Sequence, residues 1–129
     1  MSEDLSKNME DYLETIYLIQ QDKGNVRVKD IAEKLDCSMP SVSSAVKNLH
    51  KKGYVNHYRY NFVELTISGI QVAEKMFERH SVLKSFFSEV LGIESEIAER
   101  DACLIEHVIS QATFKELKNF MHYKENRVD

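Results

Sequence analysis

Between Val26 and Gly53 the chain carries two short apolar stripes of helical period, and the break between them is too brief for anything but a tight turn. In Val26-Arg-Val-Lys-Asp-Ile-Ala-Glu-Lys-Leu35, Val28, Ile31, Ala32 and Leu35 recur at offsets of three and four, which places them on one helical face. Asp36-Cys-Ser-Met-Pro-Ser41 interrupts that period. Ser38 is suited to cap a second helix, and Pro40 is tolerated in a first turn because the N–H it lacks would have no partner there. Val42, Ala45, Val46 and Leu49 then form the buried stripe of the second helix, leaving Ser41, Ser43, Ser44, Lys47, Asn48 and Lys51 to face outward. Lys51 and Lys52 favour a helix C-terminus, and Gly53 supplies the stop.

Two helices this short cannot enclose a core by themselves. The run from Met9 to Gln21 supplies a third, while Tyr54 to Tyr58 and Phe62 to Thr66 read as two strands around Arg59-Tyr60-Asn61. Together they predict a winged helix-turn-helix, whose second helix enters the major groove of DNA while the hairpin meets the backbone or minor groove. Pro40, Ser41, Ser43 and Ser44 bury little, but they allow close approach and can donate to phosphates or base edges. Ser38, Lys47 and Arg59 complete the candidate DNA-contacting set. A helix-turn-helix that serves packing alone is the alternative.

The charge distribution favours the first reading. The net charge of −4 is unusual for a nucleic-acid binder, yet residues 22–60 carry eight basic and four acidic side chains between flanking segments that each sum to −4. The positive stretch is the one that would face phosphate. With 129 residues, 43% of them hydrophobic, the chain can hold one ordinary core or two small units. No apolar run approaches a membrane span, and Met1-Ser-Glu-Asp lacks the basic start and apolar core of an export signal, so a cytoplasmic protein without a membrane partner is expected. Cys37 and Cys103 make no disulfide framework.

The order along the chain gives a mainly α fold. Met1 to Lys7 reads as a loose leader. In the first helix Met9, Leu13, Ile16, Tyr17 and Ile19 or Gln20 cover a broad face, with Asp11 and Glu14 on a neighbouring side. Beyond the hairpin, a helix is expected from about Ile67 to Leu91, capped by Thr66 or Ser68 and ended by Gly92. A second should run from Glu94 or Ser95 to about Ser110, with Ile97, Ala98, Leu104, Ile105 and Val108 as its stripe. A last one should run from Thr113 to about Tyr123. This is more apolar surface than one small winged unit can cover. Residues 1–66 are therefore read as the winged helix-turn-helix and residues 67–129 as a helical dimerisation unit, with a monomeric helical lid as the alternative.

Chemistry concentrates in Cys103-Leu-Ile-Glu106-His107. Offsets of three and four put Cys103, Glu106 and His107 on one helical face, and a thiolate, a carboxylate and an imidazole are transition-metal ligands. The same residues also suit blander roles, since a cysteine is often a small buried hydrophobe. His80 and the Asp11/Glu14 pair lie on other helices and strengthen the metal reading. Two acidic residues, two histidines and a cysteine also raise a small metal-dependent hydrolase, although such an enzyme needs no basic winged segment. A winged regulator answering to a small organic ligand, or to oxidation of Cys103, is the remaining alternative.

Taken together, Asn8-Met-Glu-Asp-Tyr-Leu-Glu-Thr-Ile-Tyr17, Val28-Lys-Asp-Ile-Ala-Glu-Lys-Leu35, Ser41-Val-Ser43, Leu65-Thr-x-x-Gly69, Arg79-His80 and Ile105-Glu106-His107 resemble the metal-dependent repressors typified by the diphtheria toxin repressor and the manganese transport regulator. The resemblance runs from residue 8 to about 121 and is closest to the shorter, manganese-regulator type without an SH3-like third domain. It implies a homodimer that binds palindromic operators when loaded with Mn²⁺ or Fe²⁺ and represses metal-uptake genes, with Co²⁺, Ni²⁺, Zn²⁺ or Cd²⁺ as possible surrogates. Asp11, Glu14 and His80 match manganese-type ligands, and Glu106 and His107 match a pair common to both types. Cys103 matches the iron type, where the manganese type has a carboxylate, so the implied site is a hybrid. The iron type's ancillary site is poorly matched, because Lys84 and Glu99 stand where two of its ligands would be.

Overall fold

The structure is a computed structural model that describes residues 5–126. Its element order is α1 (Lys7–Lys23), β1 (Val26–Arg27), α2 (Val28–Leu35), α3 (Met39–Lys51), β2 (Val55–His57), β3 (Phe62–Leu65), α4 (Ile67–Ser85), α5 (Ser95–Ile105) and α6 (Gln111–Asn126). Two compact units, Met1–Lys75 and Met76–Asp129, divide within α4.

In the N-terminal unit α1 begins earlier than its apolar stripe suggests. Ser6 caps it by accepting from the Met9 N–H at 3.2 Å, so Lys7 belongs to the helix rather than to a leader. The first four residues of that expected leader lie outside the described residues. Leu13, Ile16, Ile31, Val42, Val46 and Leu49 from the three helices are fully buried together. A leucine or isoleucine in such a position contributes roughly 1.5–3 kcal/mol relative to exposure. Ser38 caps α3 as expected, accepting from the Ser41 N–H at 3.2 Å, and Pro40 sits in the first turn.

The wing has one strand more than the pattern suggested. Val26 and Arg27, expected to open α2, pair with Val63 and Phe62, giving an antiparallel sheet of order β1-β3-β2. Two residues are too few for alternation to be visible in sequence. Asp30 fixes the switch from strand to helix: its carboxylate accepts from the Arg27 N–H at 2.9 Å and from Lys23 Nζ at 3.1 Å. The Arg27 guanidinium lies over the Phe62 ring, 4.4 Å from its centre. On the other edge Val55, Asn56 and His57 pair with Leu65, Glu64 and Val63. The Leu65-Thr-x-x-Gly69 motif closes the unit. Thr66 Oγ1 donates to the Gly53 carbonyl at 2.8 Å and accepts from the Gly69 N–H at 3.1 Å, which caps α4. A side chain at Gly69 would collide with the Tyr54 carbonyl oxygen.

In the C-terminal unit α4 ends at Ser85 and passes into a π-helical turn over Phe86–Val90, so the single helix expected to Leu91 is divided. The extra residue per turn shifts the apolar register, and Phe86 meets Phe87 and Phe120 edge to face at centroid separations of 6.0 and 6.1 Å. Helix α5 stops at Ile105, short of the expected Ser110. Arg79, buried on α4, explains the stop: Nη1 donates to the Glu106 and Ile109 carbonyls at 3.0 and 3.1 Å, and Nη2 to Gln111 Oε1 at 3.1 Å. These bonds satisfy carbonyls that a continuing helix would have used. Ser110 then caps α6, accepting from the Thr113 N–H at 3.1 Å. The α5 stripe is corrected as well. Ala98 and Ala102 are buried, whereas Ile97, Leu104 and Val108 are exposed.

Candidate functional site

Each unit carries part of the chemistry singled out in the sequence. In the N-terminal unit the exposed face of α3 presents Ser38, Pro40, Ser41, Ser44 and Lys47, with Ser43 half-buried. Ser38 is already engaged, donating to Ser41 Oγ at 2.8 Å as well as capping the helix. A surface groove of about 490 Å³ runs beside this face, lined by Asn8, Ser41, Ser44, Lys47, Asn48 and Lys51. Asn8 lies on α1, so periodicity along α3 could not have brought it to notice. Arg59 stands exposed in the wing turn next to Tyr60, which is 80% exposed. Tyr60 and Asn61 both adopt the left-handed conformation, at φ 61° and 60°. A tyrosine there is strained, and such strain gathers at functional positions. No residue pattern signals this conformation, because hairpin tips of this shape normally carry Asn-Gly.

Asp11 and Glu14 are half-buried on α1, and Asp11 pairs with Lys7 Nζ at 3.3 Å.

The C-terminal unit brings His80, Cys103, Glu106 and His107 together. His80, on α4, is the hub. Its Nδ1 is 2.8 Å from Glu106 Oε1, its Nε2 is 3.0 Å from Glu99 Oε1, and Cys103 Sγ is 3.7 Å from Nδ1. Glu106 is 1% exposed and lies just past the end of α5, in helical conformation, so the spacing argument survives the early stop. His107 Nε2 reaches the other Glu106 oxygen at 3.3 Å. Glu99, one turn before Cys103, accepts from its thiol at 3.6 Å and from Lys84 Nζ at 3.3 Å.

The electrostatics follow from this geometry. The Glu106 hydrogen bond, opposed by partial burial and aided by Glu99, lifts the His80 pKa to about 9. His80 is therefore an imidazolium at neutral pH, with each ring N–H donating to a carboxylate. Partial burial works to raise the Glu99 pKa, but His80 and Lys84 outweigh it and hold the carboxyl below its ordinary range. In both cases a cation already compensates a carboxylate. The donor set fits a divalent transition ion: His80, Glu99 and Cys103 each offer a ligand atom, all within 4.8 Å of one another, and they combine nitrogen, oxygen and sulfur. Glu99, which the sequence placed only at a poorly matched ancillary position, is a contributor to this cluster. The signal was its spacing of four from Cys103, which puts both on one helical face.

Comparison with known proteins places these parts in one lineage. The model of the iron-dependent repressor N-terminal DNA-binding domain matches residues 4–63, and that of the iron-dependent repressor metal-binding and dimerisation domain matches residues 66–127. An uncharacterised HTH-type transcriptional regulator of Methanocaldococcus jannaschii is 35% identical over 96% of this chain and 100% of its own length. The HTH-type transcriptional regulator MntR of Listeria welshimeri is 36% identical over 95% of this chain and 85% of its own. Among solved structures, a manganese-dependent transcriptional repressor in complex with manganese aligns with a TM-score of 0.81 at 28% identity, over 89% of this chain and 53% of that one. The manganese regulator SloR aligns with a TM-score of 0.80 at 28% identity, over 92% and 55%. The chain thus spans about half the length of these solved proteins. The relatives are transcriptional regulators, not enzymes, which removes the hydrolase reading. No helix among the described residues is long and apolar enough to cross a membrane. With one model matching the winged helices and the other the segment that carries His80 and Glu106, the chain belongs to the iron-dependent repressor family.

Proposed function

We propose that the protein is a cytoplasmic, homodimeric repressor that binds palindromic operator DNA when loaded with Mn²⁺ or Fe²⁺ and so controls metal-uptake genes. Residues 1–66 form its DNA-binding part, and residues 67–129 its metal-binding and dimerisation part. The observation that carries the reading is the buried Glu106 carboxylate held between His80 and His107, within the half that matches a metal-binding and dimerisation model. Asp11 and Glu14 join His80, Cys103, Glu106 and His107 as ligands, following the resemblance of Asn8–Tyr17 to the manganese type. Carboxylates and imidazoles suit Mn²⁺ and Fe²⁺, whereas the Cys103 sulfur pulls preference away from Mn²⁺.

A bound divalent ion supplies the positive charge that lets several carboxylates share one place. Without it, Asp11, Glu14 and Glu106 repel one another, which works against a fixed placement of the first helix. With it, the two recognition helices of the dimer hold a separation near one turn of DNA, about 34–36 Å. Ser38, Pro40, Ser41, Ser43, Ser44 and Lys47 then read or position the major groove, and Arg59 contacts phosphate or the minor groove.

The test is a metal titration followed by binding to a duplex selected from a random pool with Mn²⁺-loaded protein. Glu106→Ala should abolish activation by either metal. Lys47→Ala should weaken binding to all duplexes and lower the salt slope by about one. A parent protein whose DNA affinity ignores Mn²⁺ and Fe²⁺ would refute the proposal, as would a Glu106→Ala variant that responds as the parent does.

A further inference from the structure

Tyr60, at the tip of the wing, is the most exposed large apolar side chain among the described residues. Its backbone is left-handed, at φ 61° and ψ 28°, and Asn61 follows at φ 60°. Asparagine visits this region readily, whereas an aromatic residue does so under strain that glycine would avoid. The turn is held in this shape from several sides. The Tyr58 N–H donates to the Phe62 carbonyl at 2.8 Å, and the Phe62 N–H donates to the Arg59 carbonyl. His57 Nε2 lies 3.3 Å from Asn61 Oδ1, and the Tyr58 hydroxyl donates to Glu64 Oε1 at 3.0 Å. The Tyr60 ring adds nothing to the core, to which the wing contributes Val55, Val63 and Leu65. Strain and exposure therefore meet in one side chain without any return inside the chain, so what the ring serves lies outside it.

The neighbours say what that is. Tyr60 ends a stretch, residues 22–60, with eight basic and four acidic side chains, and the exposed Arg59 stands beside it. Phosphate attracts cations, which Arg59 supplies; a neutral ring next to it suits the interior of a groove instead. The minor groove offers N3 and O2 acceptors to a phenolic O–H and sugar walls to an aromatic face, and apolar side chains commonly enter it. The geometry points to Tyr60 as the wing's reader of the minor groove, its ring between the sugar-phosphate walls and its hydroxyl donating to an acceptor on the floor. This rests on the operator-binding reading and adds to it a second zone of sequence preference, outside the one that α3 faces. The guanine 2-amino group projects into the minor groove where the ring would lie, so A·T pairs are preferred at the step the wing reaches. The braced left-handed turn aims the ring; a relaxed turn would leave its direction open.

The chain contains no tryptophan, so Tyr60→Trp places a single reporter at the wing tip. Acrylamide quenching of that tryptophan should fall several-fold when the full chain binds a duplex selected from a random pool with Mn²⁺-loaded protein. Tyr60→Gly should unfold at a denaturant midpoint no lower than the parent's, yet bind the duplex roughly tenfold more weakly. A residue that only supported the fold would lose stability and binding together. Substituting A·T pairs of the duplex one at a time, first by G·C and then by inosine·C, which lacks the 2-amino group, tests the groove. At one step of each half-site G·C should weaken binding by the parent and inosine·C should restore it, while Tyr60→Gly is indifferent to both. The inference is overturned if Tyr60→Gly binds as tightly as the parent, or if G·C and inosine·C act alike on the parent at every position. It also falls if the tryptophan stays as open on the duplex as in the free protein while Lys47→Ala still weakens binding, and the operator reading then stands. If no duplex is bound with or without Mn²⁺, both fall.

Discussion

The two halves of the chain handle apolar surface in opposite ways. In the N-terminal unit the large aliphatic side chains of three helices and a small sheet point inward, and Leu13, Ile16, Ile31 and Leu49 are wholly covered. In the C-terminal unit the buried positions of α5 are Ala98 and Ala102, while Leu104 is 52% and Val108 78% exposed, with Leu91, Ile97, Phe120 and Tyr123 also open to solvent. The unit's own core is built on Met76, Leu83, Phe114 and Met121, while α5 turns its alanines inward and leaves its larger apolar side chains available to the second subunit of the proposed homodimer. The N-terminal half can thus draw on its own core for stability, whereas in the proposed homodimer the C-terminal half draws part of its stability from the second subunit.

Leucine-to-alanine changes on either side would break this contrast most visibly. Leu49→Ala should cost about 2–5 kcal/mol of unfolding free energy, read by denaturant titration. Leu104→Ala should cost the subunit itself only about 0.5 kcal/mol or less, its main effect appearing as a midpoint that falls on dilution. Equal, concentration-independent losses at both positions would show that the halves are built alike. A charge sharpens the same point: Val108→Glu should weaken self-association by about 2 kcal/mol, shifting the species seen in sedimentation at micromolar protein toward monomer. A parent that is monomeric at that concentration would remove the basis of the comparison.

The smallest effect belongs to the self-contained half. Asp30→Ala removes an acceptor at the start of α2 and should cost about 1 kcal/mol near neutral pH. Burial acts to raise the Asp30 pKa, but the Arg27 N–H and Lys23 outweigh it, so the folded carboxyl titrates below its ordinary 3.8. Its contribution is therefore complete above that value and fades as the pH falls through the lower folded one. Parent and variant should converge in acid. A difference that instead grows below pH 4 would assign the stabilisation to something other than the carboxylate.

What could be read from the sequence followed from periodicity. Both helices of the DNA-binding motif and the Ser38 and Thr66 caps rest on interactions within a few residues, and the structure agrees on each of them. The strand at Val26–Arg27 and the end of α5 were hidden because their partners are distant in sequence. Val26 is ordered by Val63, and the α5 terminus by Arg79. The α5 stripe misled for another reason: Ile97, Leu104 and Val108 do mark an apolar face, but an apolar face does not announce whether its own chain or another covers it. Within the candidate centre, Cys103, Glu106 and His107 were visible as a local cluster. Glu99 entered only as a mismatch at the iron type's ancillary position, because its contact with His80 joins residues on two different helices and has no local signature.

Arg79 makes the corner between α5 and α6 behave as a hinge that is pinned shut. One guanidinium holds two carbonyls just beyond the end of one helix and the first side chain of the next, with its carbon 5.6 Å from the centre of the Phe114 ring. Freeing either helix strands a buried cation, a penalty that local fraying does not incur. Amide exchange across α4, α5 and α6 should therefore report a single opening event rather than a gradient of slow and fast segments. Because His80 is the next residue in sequence, the cluster that handles ions would be assembled or lost in that same event, never piece by piece.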